Sequence, residues 1–477
     1  MTNHISLRSL VGAAGLIMAC GAGAQDVAAP LTLDQCITIA LSDNPTVRVA
    51  DMEITKADYS RRETLGQLLP SLSFSGSYNR TLQKQVMYMN MDGFGLPGGD
   101  DAGEGDAADS PMSRADGGDE GIKMGLDNMY SLGFSAQMPL IAPQLWASLS
   151  LSDTQIARSV EQARASRLDM VNQVKNAYYA LMLAVDSRRV VQESYDMASL
   201  THDTYVKRLS VGDASEYDVL RASVAMKNIE PEMIQGDIAI RRAHLQLAIL
   251  MGVDVETPFE IAGTLTDYEQ SMYEDVMNLQ TDLTNNTQLA MNAIETRALE
   301  QTLSMQRASF YPTLSLSGNY SWNSSSNGSP FKNFRWTSYS MVGLTLSIPI
   351  FEGMQRVNRV KQARIALDEM AWTRDNLTRQ LNSQVALAVD NIQLNVKQIA
   401  SSSESVAEAS RAHDIQQASF DIGAASYLDL RDSELSLTRA RLGYYQAVYN
   451  YLVANSDLEL LLGNAPIDTY TQQTQSR

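Results

Sequence analysis

One short stretch occurs twice in this chain, and the two copies constrain everything between them. Leu69-Pro70-Ser71-Leu72-Ser73-Phe74-Ser75-Gly76-Ser77-Tyr78 returns as Tyr311-Pro312-Thr313-Leu314-Ser315-Leu316-Ser317-Gly318-Asn319-Tyr320, with Pro70 and Pro312 standing 242 positions apart. In each copy a Pro closes a helical pattern, because it lacks the N–H and its ring clashes with the preceding turn. Small polar residues then alternate with apolar ones at the period of a strand. A soluble sandwich would turn the apolar face to a core. A membrane barrel would turn it to lipid and keep the polar face for a wet lumen.

The surrounding chain repeats in the same order. Leu31 to Leu69 reads as helix, with Thr32 as N-cap and a break and restart at Asn44-Pro45. Strand alternation from Ser71 gives way at residues 92–121 to a Gly-rich insertion with nine acidic residues against the single Arg114. That composition predicts a solvated loop. Alternation resumes over Tyr130 to Leu140, and a long helix is expected from Ile141 to a turn near Asp186. Its return helix is interrupted at Val211-Gly212, restarts at Ser215-Glu216-Tyr217-Asp218 and ends at Met251-Gly252. The second half follows suit. Ser340 to Ile350 alternates, a long helix is expected from Glu352 to a turn near Val396, and its return helix breaks at Ile422-Gly423. Pro139 and Pro349 are 210 apart, and Gly212 and Gly423 are 211 apart. Residues 25–252 and 283–464 are thus two structural repeats, joined by a linker at 253–282 and followed by a polar tail at 465–477.

Residues 1–24 read as a secretory signal: Arg8, an apolar run from Leu10 to Met18, then Ala22-Gly23-Ala24 before the cut. Lipoprotein processing at Cys20 is the rival reading. Cleavage at Ala24 leaves Cys36 as the one cysteine, expected to be a small buried hydrophobe. No later stretch approaches the ~20 apolar residues of a spanning helix. The net charge of −18 argues against nucleic acid, which needs Lys and Arg to neutralise phosphates. The four His are scattered and no nucleophile elbow, zinc motif or phosphate loop is present, so no enzyme and no cofactor is expected. Four strands cannot close a barrel, and only an oligomer would satisfy their edges.

The order Leu31-Thr32-Leu33-Asp34-Gln35, Ala40-Leu41 and Asn44-Pro45, the twin Pro-x-Leu-Ser strand entries, Pro349-Ile350-Phe351-Glu352-Gly353 and the paired Val/Ile-Gly…Ser…Asp segments resembles the TolC-like outer-membrane efflux proteins over about Leu31 to Asn464. The resemblance implies a mainly helical, internally duplicated fold with a membrane β-barrel. Three chains would each lend four strands to a twelve-stranded barrel and long helical hairpins to a tunnel across the periplasm. It implies a passive outer-membrane channel, with a periplasmic adaptor and an inner-membrane pump as partners in efflux or type I secretion. The alternative is a periplasmic coiled-coil scaffold without a pore. The resemblance also implies a constriction at the helix tips, placed at Asp186 and Asp390 with Gln393 one turn on. Arg188 and Arg189 would form a tip network beside it. Like charges held close in a trimeric lumen attract cations and raise one another's pKa. Tyr78, Tyr130, Tyr320, Trp322, Trp336 and Tyr339 cluster at strand ends beside the loops and read as a girdle against the lipid headgroups.

Overall fold

The computed structural model describes residues 30–87, 122–269, 281–329 and 335–465. The expected signal at 1–24, the acidic insertion at 92–121 and all but the first residue of the tail lie outside the described residues. Helix α1 (Leu33–Asp43) starts at a capping box, in which the Thr32 hydroxyl accepts the Gln35 N–H and the Gln35 side chain accepts the Thr32 N–H at 2.9 Å. Helix α2 (Pro45–Gly66) restarts with Pro at its first position, where a missing N–H costs nothing.

Strand β1 (Ser71–Arg80) leads to a short hairpin, β2 (Gln85–Met87) and β3 (Ile122–Met124), which the sequence pattern did not announce. Strand β4 (Asn128–Ile141) feeds helix α3 (Pro143–Ser210). Helices α4 (Glu216–Lys227) and α5 (Glu230–Met251) return, separated by a break before Pro231. A single 3-10 turn follows at Leu265–Tyr268. The second half runs α6 (Thr287–Ala308), β5 (Thr313–Ser326), β6 (Thr337–Ser347), α7 (Gln355–Asp421) and α8 (Tyr427–Leu462). The four long strands form one antiparallel sheet in the order β1-β4-β5-β6.

The long helices overrun their expected ends. Helix α3 passes straight through Asp186 for 68 residues and α7 through Val396 for 67, each roughly 100 Å at 1.5 Å per residue. The turns fall instead at Gly212 and Gly423, whose φ values of +80° and +76° suit glycine. What looked like interruptions of return helices are the hairpin tips themselves. Among the described residues no helix is long and apolar enough to cross a membrane.

The core lies midway along the helices, where α3 buries the most side chains. Val174, Tyr178, Leu181 and Met182 pack with Cys36, Ile37, Leu247, Met251, Val448, Tyr451 and Leu458. The Tyr178 hydroxyl donates to the Ala262 carbonyl at 2.7 Å and lies 3.1 Å from that of Leu31, tying the linker to the first helix. Cys36 is fully buried as expected, and burial pushes its thiol up to about 12.

One clamp appears in both repeats. Asn44 caps α2 through its side-chain oxygen, while its Nδ2 donates to the Leu250 carbonyl at 2.8 Å near the end of α5. Asn286 caps α6 and donates to the Leu461 carbonyl at 2.6 Å near the end of α8. Each clamped helix ends in a left-handed glycine, Gly252 or Gly463. At Gly252 an added Cβ would stand 2.9 Å from the Asp43 carbonyl oxygen.

Asn44→Ala is expected to lower stability by about 1–3 kcal/mol, losing a cap and leaving a buried carbonyl unpaired. Gly252→Ala should cost about 1–2 kcal/mol from backbone strain alone, with the Asp43 clash added. Urea midpoints followed by circular dichroism check both; unchanged midpoints would mean the clamp is incidental.

Candidate functional site

The sheet has two chemically distinct faces, and register decides which residue lies on which. Leu72, Phe74 and Tyr78 share a face with Tyr130, Leu132 and Phe134, because Tyr78 pairs with Tyr130 and Phe74 with Phe134. That face continues through Tyr320 and Trp322 on β5 to Val342, Leu344 and Leu346 on β6. Most of these apolar side chains are exposed on the protomer, Val342 at 81%. From Tyr130 to Leu140 the band is roughly 25 Å tall for a strand tilted by about 40°, the height of a barrel's lipid-facing belt.

Aromatic contacts mark the loop end of this band. Tyr78 stacks on Tyr130 with ring centroids 4.8 Å apart, Tyr320 meets Trp322 at 4.7 Å, and Phe134 lies 5.0 Å from Phe74. The Tyr78 hydroxyl donates to the Asn128 side chain at 2.9 Å. Trp336 is exposed just before β6. Tyr339 is a correction: its cross-strand partner is Ser321, so it stands on the polar face, opposite Tyr320 and Trp322. Along β6 both parities carry apolar side chains, and alternation alone could not choose between them.

The tips of the two hairpins meet through aromatic rings and guanidinium groups. Tyr205 on α3 lies 5.9 Å from Phe420 at the end of α7 and 5.6 Å from Tyr427 at the start of α8. Arg208 sits 5.2 Å over the Phe420 ring, and Arg221 on α4 4.8 Å over Tyr427. Each return helix starts from a Ser–Asp capping box. The Asp218 N–H donates to Ser215 Oγ at 3.2 Å and the Asp429 N–H to Ser426 Oγ at 3.3 Å. Hydrogen bonds from the serine side chain and backbone hold Asp218 and Asp429 below the usual carboxylate range. These aromatics went unread in the sequence, although they flank Gly212 and Gly423 within two helical turns.

The acidic and basic residues expected at the tips lie elsewhere. Asp186 is 24 residues before the end of α3, roughly 36 Å up the helix. It is 2% exposed, and its carboxylate accepts the Leu265 N–H at 3.1 Å and pairs with Arg189 at 2.9 Å. Arg189 also donates to the Tyr445 hydroxyl at 3.0 Å, and Arg188 pairs with Asp237 on α5 at 2.8 Å. Both arginines therefore join α3 to its neighbours at the level of the linker and take no part in a tip network. Asp390 and Gln393 are exposed on α7, with Asp390 31 residues before its end, roughly 46 Å from the tip. The structure brings neither together with Asp186. Burial raises the Asp186 carboxyl above its usual range, the Leu265 N–H and Arg189 oppose this, and Asp267 adds to it.

The sequence pattern of the family described as "Outer membrane efflux protein" matches residues 36–253 and 278–464, the two repeats. The chain is similar to outer membrane protein TolC of Vibrio cholerae, 20% identical over 70% of this chain and 77% of the relative. It is also similar to the cobalt-zinc-cadmium resistance protein CzcC of Cupriavidus metallidurans, 23% identical over 66% of this chain and 73% of that one. Its fold matches the crystal structure of the outer membrane protein VceC of Vibrio cholerae with a TM-score of 0.66 at 18% identity, covering 90% and 96% of the two chains.

A carboxyl whose pKa is raised by folding contributes stability in acid and loses it as pH climbs through the folded value. Asp186→Asn keeps an oxygen for the Leu265 N–H and removes the buried charge. It is therefore expected to match or exceed the parent in stability at pH 8 and to flatten the pH dependence. Asp186→Ala should lose about 1–3 kcal/mol at every pH. Urea unfolding at pH 5 and pH 8 measures all three.

Proposed function

The chain belongs to the outer membrane efflux protein family, and from that premise we propose that it works as a homotrimeric duct gated at its hairpin tips. The protein is an outer-membrane channel that extends into the periplasm, and it is not an enzyme. The observation that carries the finer reading is the sheet. Its strand order leaves β1 and β6 as free edges beneath a lipid-height apolar band. Unpaired strand edges are not tolerated in hydrocarbon. Three copies joined edge to edge give twelve strands and a closed barrel with no edge left. The pore-free scaffold has no use for such a band.

The paired hairpins of each copy then build a tunnel whose entrance lies at Gly212 and Gly423. Entrance closure rests on the Tyr205–Phe420–Tyr427 cluster and its two guanidinium partners, which tie one hairpin to the other. Cation–π pairs at exposed sites contribute about 0.5–1 kcal/mol each. Two such pairs, with the ring contacts beside them, are strong enough to hold the tips and weak enough for a docking partner to release. The partners are a periplasmic adaptor and an inner-membrane pump, in tripartite efflux or type I secretion. A relative named for resistance to cobalt, zinc and cadmium supports the efflux form. Asp390 and Gln393 belong in this reading to the tunnel wall, above the gate.

Purified oligomer in planar bilayers is expected to show small, discrete conductance steps. Tyr205→Ala combined with Arg208→Ala should raise the unitary conductance several-fold by separating the hairpins, whereas Asp390→Ala should change it less. Equal conductance in the tip variant and the parent would exclude the aromatic cluster as the gate.

A further inference from the structure

The polar face of the sheet is distinguished by what it lacks. Register puts Ser73, Ser135, Gln137, Ser317, Asn319 and Thr345 on it, and the remaining positions are Ser, Thr, Asn and Gly with a few apolar residues. Along β1, β4, β5 and β6 it carries no Asp, Glu, Lys or Arg. The one charged residue in these four strands is Arg80, at the end of β1 and on the other parity. Among the described residues Arg335 lines a depression of this face with Asn79 and Thr337, beyond the strand. This neutrality stands in a chain of net charge −18.

Rings of charged side chains give pores their preference for one sign of ion. Hydroxyl groups donate and accept, so they solvate cations and anions alike. Ser73 and Ser135 are each other's cross-strand partners, with their hydroxyl oxygens 2.7 Å apart. Their side chains thus make a wet, uncharged lattice at mid-strand. Tyr339 and Met341 add an apolar patch, the Tyr339 hydroxyl lying 3.4 Å from the Met341 sulfur. Ser135 is seven residues from the loop end of β4, roughly 20 Å along the strand. That is more than two screening lengths at about 0.15 M salt, which screens Ser135 from the described charge of Arg80 at the loop end of β1.

We propose that the barrel lumen is a charge-neutral, hydroxyl-lined exit that does not sort cargo by sign of charge. Any ion preference of the duct then arises in the helical tunnel below. The proposal rests on the outer-membrane duct reading, because that reading turns the polar face inward. It also defines the cargo class the exit accepts: cationic, anionic and neutral polar solutes, including those with an apolar part that can brush Tyr339 and Met341.

The test uses the full-length oligomer in lipid vesicles with Ser135→Cys, and Ser317→Cys as a second lumen position should the first not assemble. Cys36 is fully buried, and the rate of the parent oligomer, which carries every native cysteine, is subtracted as background. Cationic and anionic methanethiosulfonate reagents are added from outside. The thiolate attacks the reagent sulfur, forms a mixed disulfide and releases methanesulfinate. The cation-to-anion rate ratio is expected to fall within about threefold of the ratio for a small free thiol, as at a point of near-zero potential. A ratio shifted about tenfold or more in either direction overturns neutrality, since charged clefts concentrate one sign by at least that factor. Leu132→Cys, on the opposite face, separates the two ideas. If it reacts freely while Ser135→Cys reacts with neither reagent, the faces are reversed and the duct reading falls together with the proposal.

Discussion

Backbone hydrogen bonding in lipid is the constraint on which the molecule depends. A sheet with an exposed apolar face about 25 Å tall needs every N–H and C=O paired, yet β1 and β6 each present one free edge. Among the described residues no further strand pairs with those edges. The strand order also leaves little freedom: each repeat supplies a hairpin's worth of strand, and the hairpins join at the β4–β5 seam. The helices that continue from the strands are consequently delivered to the same end of the sheet, and the tunnel follows from the barrel.

Stability is distributed unevenly along the helices. Around Val174 to Met182, α3 is enclosed by α1, α5, α8 and the linker, and large side chains are fully buried. The duplicated Asn–Gly clamp and the Asp186–Leu265 contact lie at this level. Towards Gly212 and Gly423 the buried core thins to a few rings and capping boxes. Regions with few buried apolar contacts open first, so the tips can open while the middle holds register.

Several parts of this arrangement are legible in the amino-acid sequence alone. The twin Pro-x-Leu-Ser entries located β1 and β5, Asn44-Pro45 located the first helix break, and the constant offsets established the duplication. The hairpin turns were misplaced for a specific reason. Long helices of this kind carry weak amphipathic patterns, and so no change of period marks a turn. The glycine with its Ser–Asp capping box did mark it, but the same signature also suits a break within a helix. Asp186 shows the complementary failure: a carboxylate near an expected helix turn reads as part of a constriction, and only the arrival of Leu265, 79 positions later, makes it a buried acceptor.

Alone, the sequence determined the class of object: two copies of helix, strand, strand, long helix and return helix, with strands polar on one face. Period and proline are local signals, enforced by sterics within a few residues, and they survive without tertiary context. Tertiary structure decided where the hairpins turn, which face Tyr339 occupies, and which charges meet. Those outcomes depend on register and on partners far apart in the chain, such as Tyr339 with Ser321 and Arg189 with Tyr445. Such contacts form only when the packed helices and paired strands bring their residues together, and no local pattern encodes them.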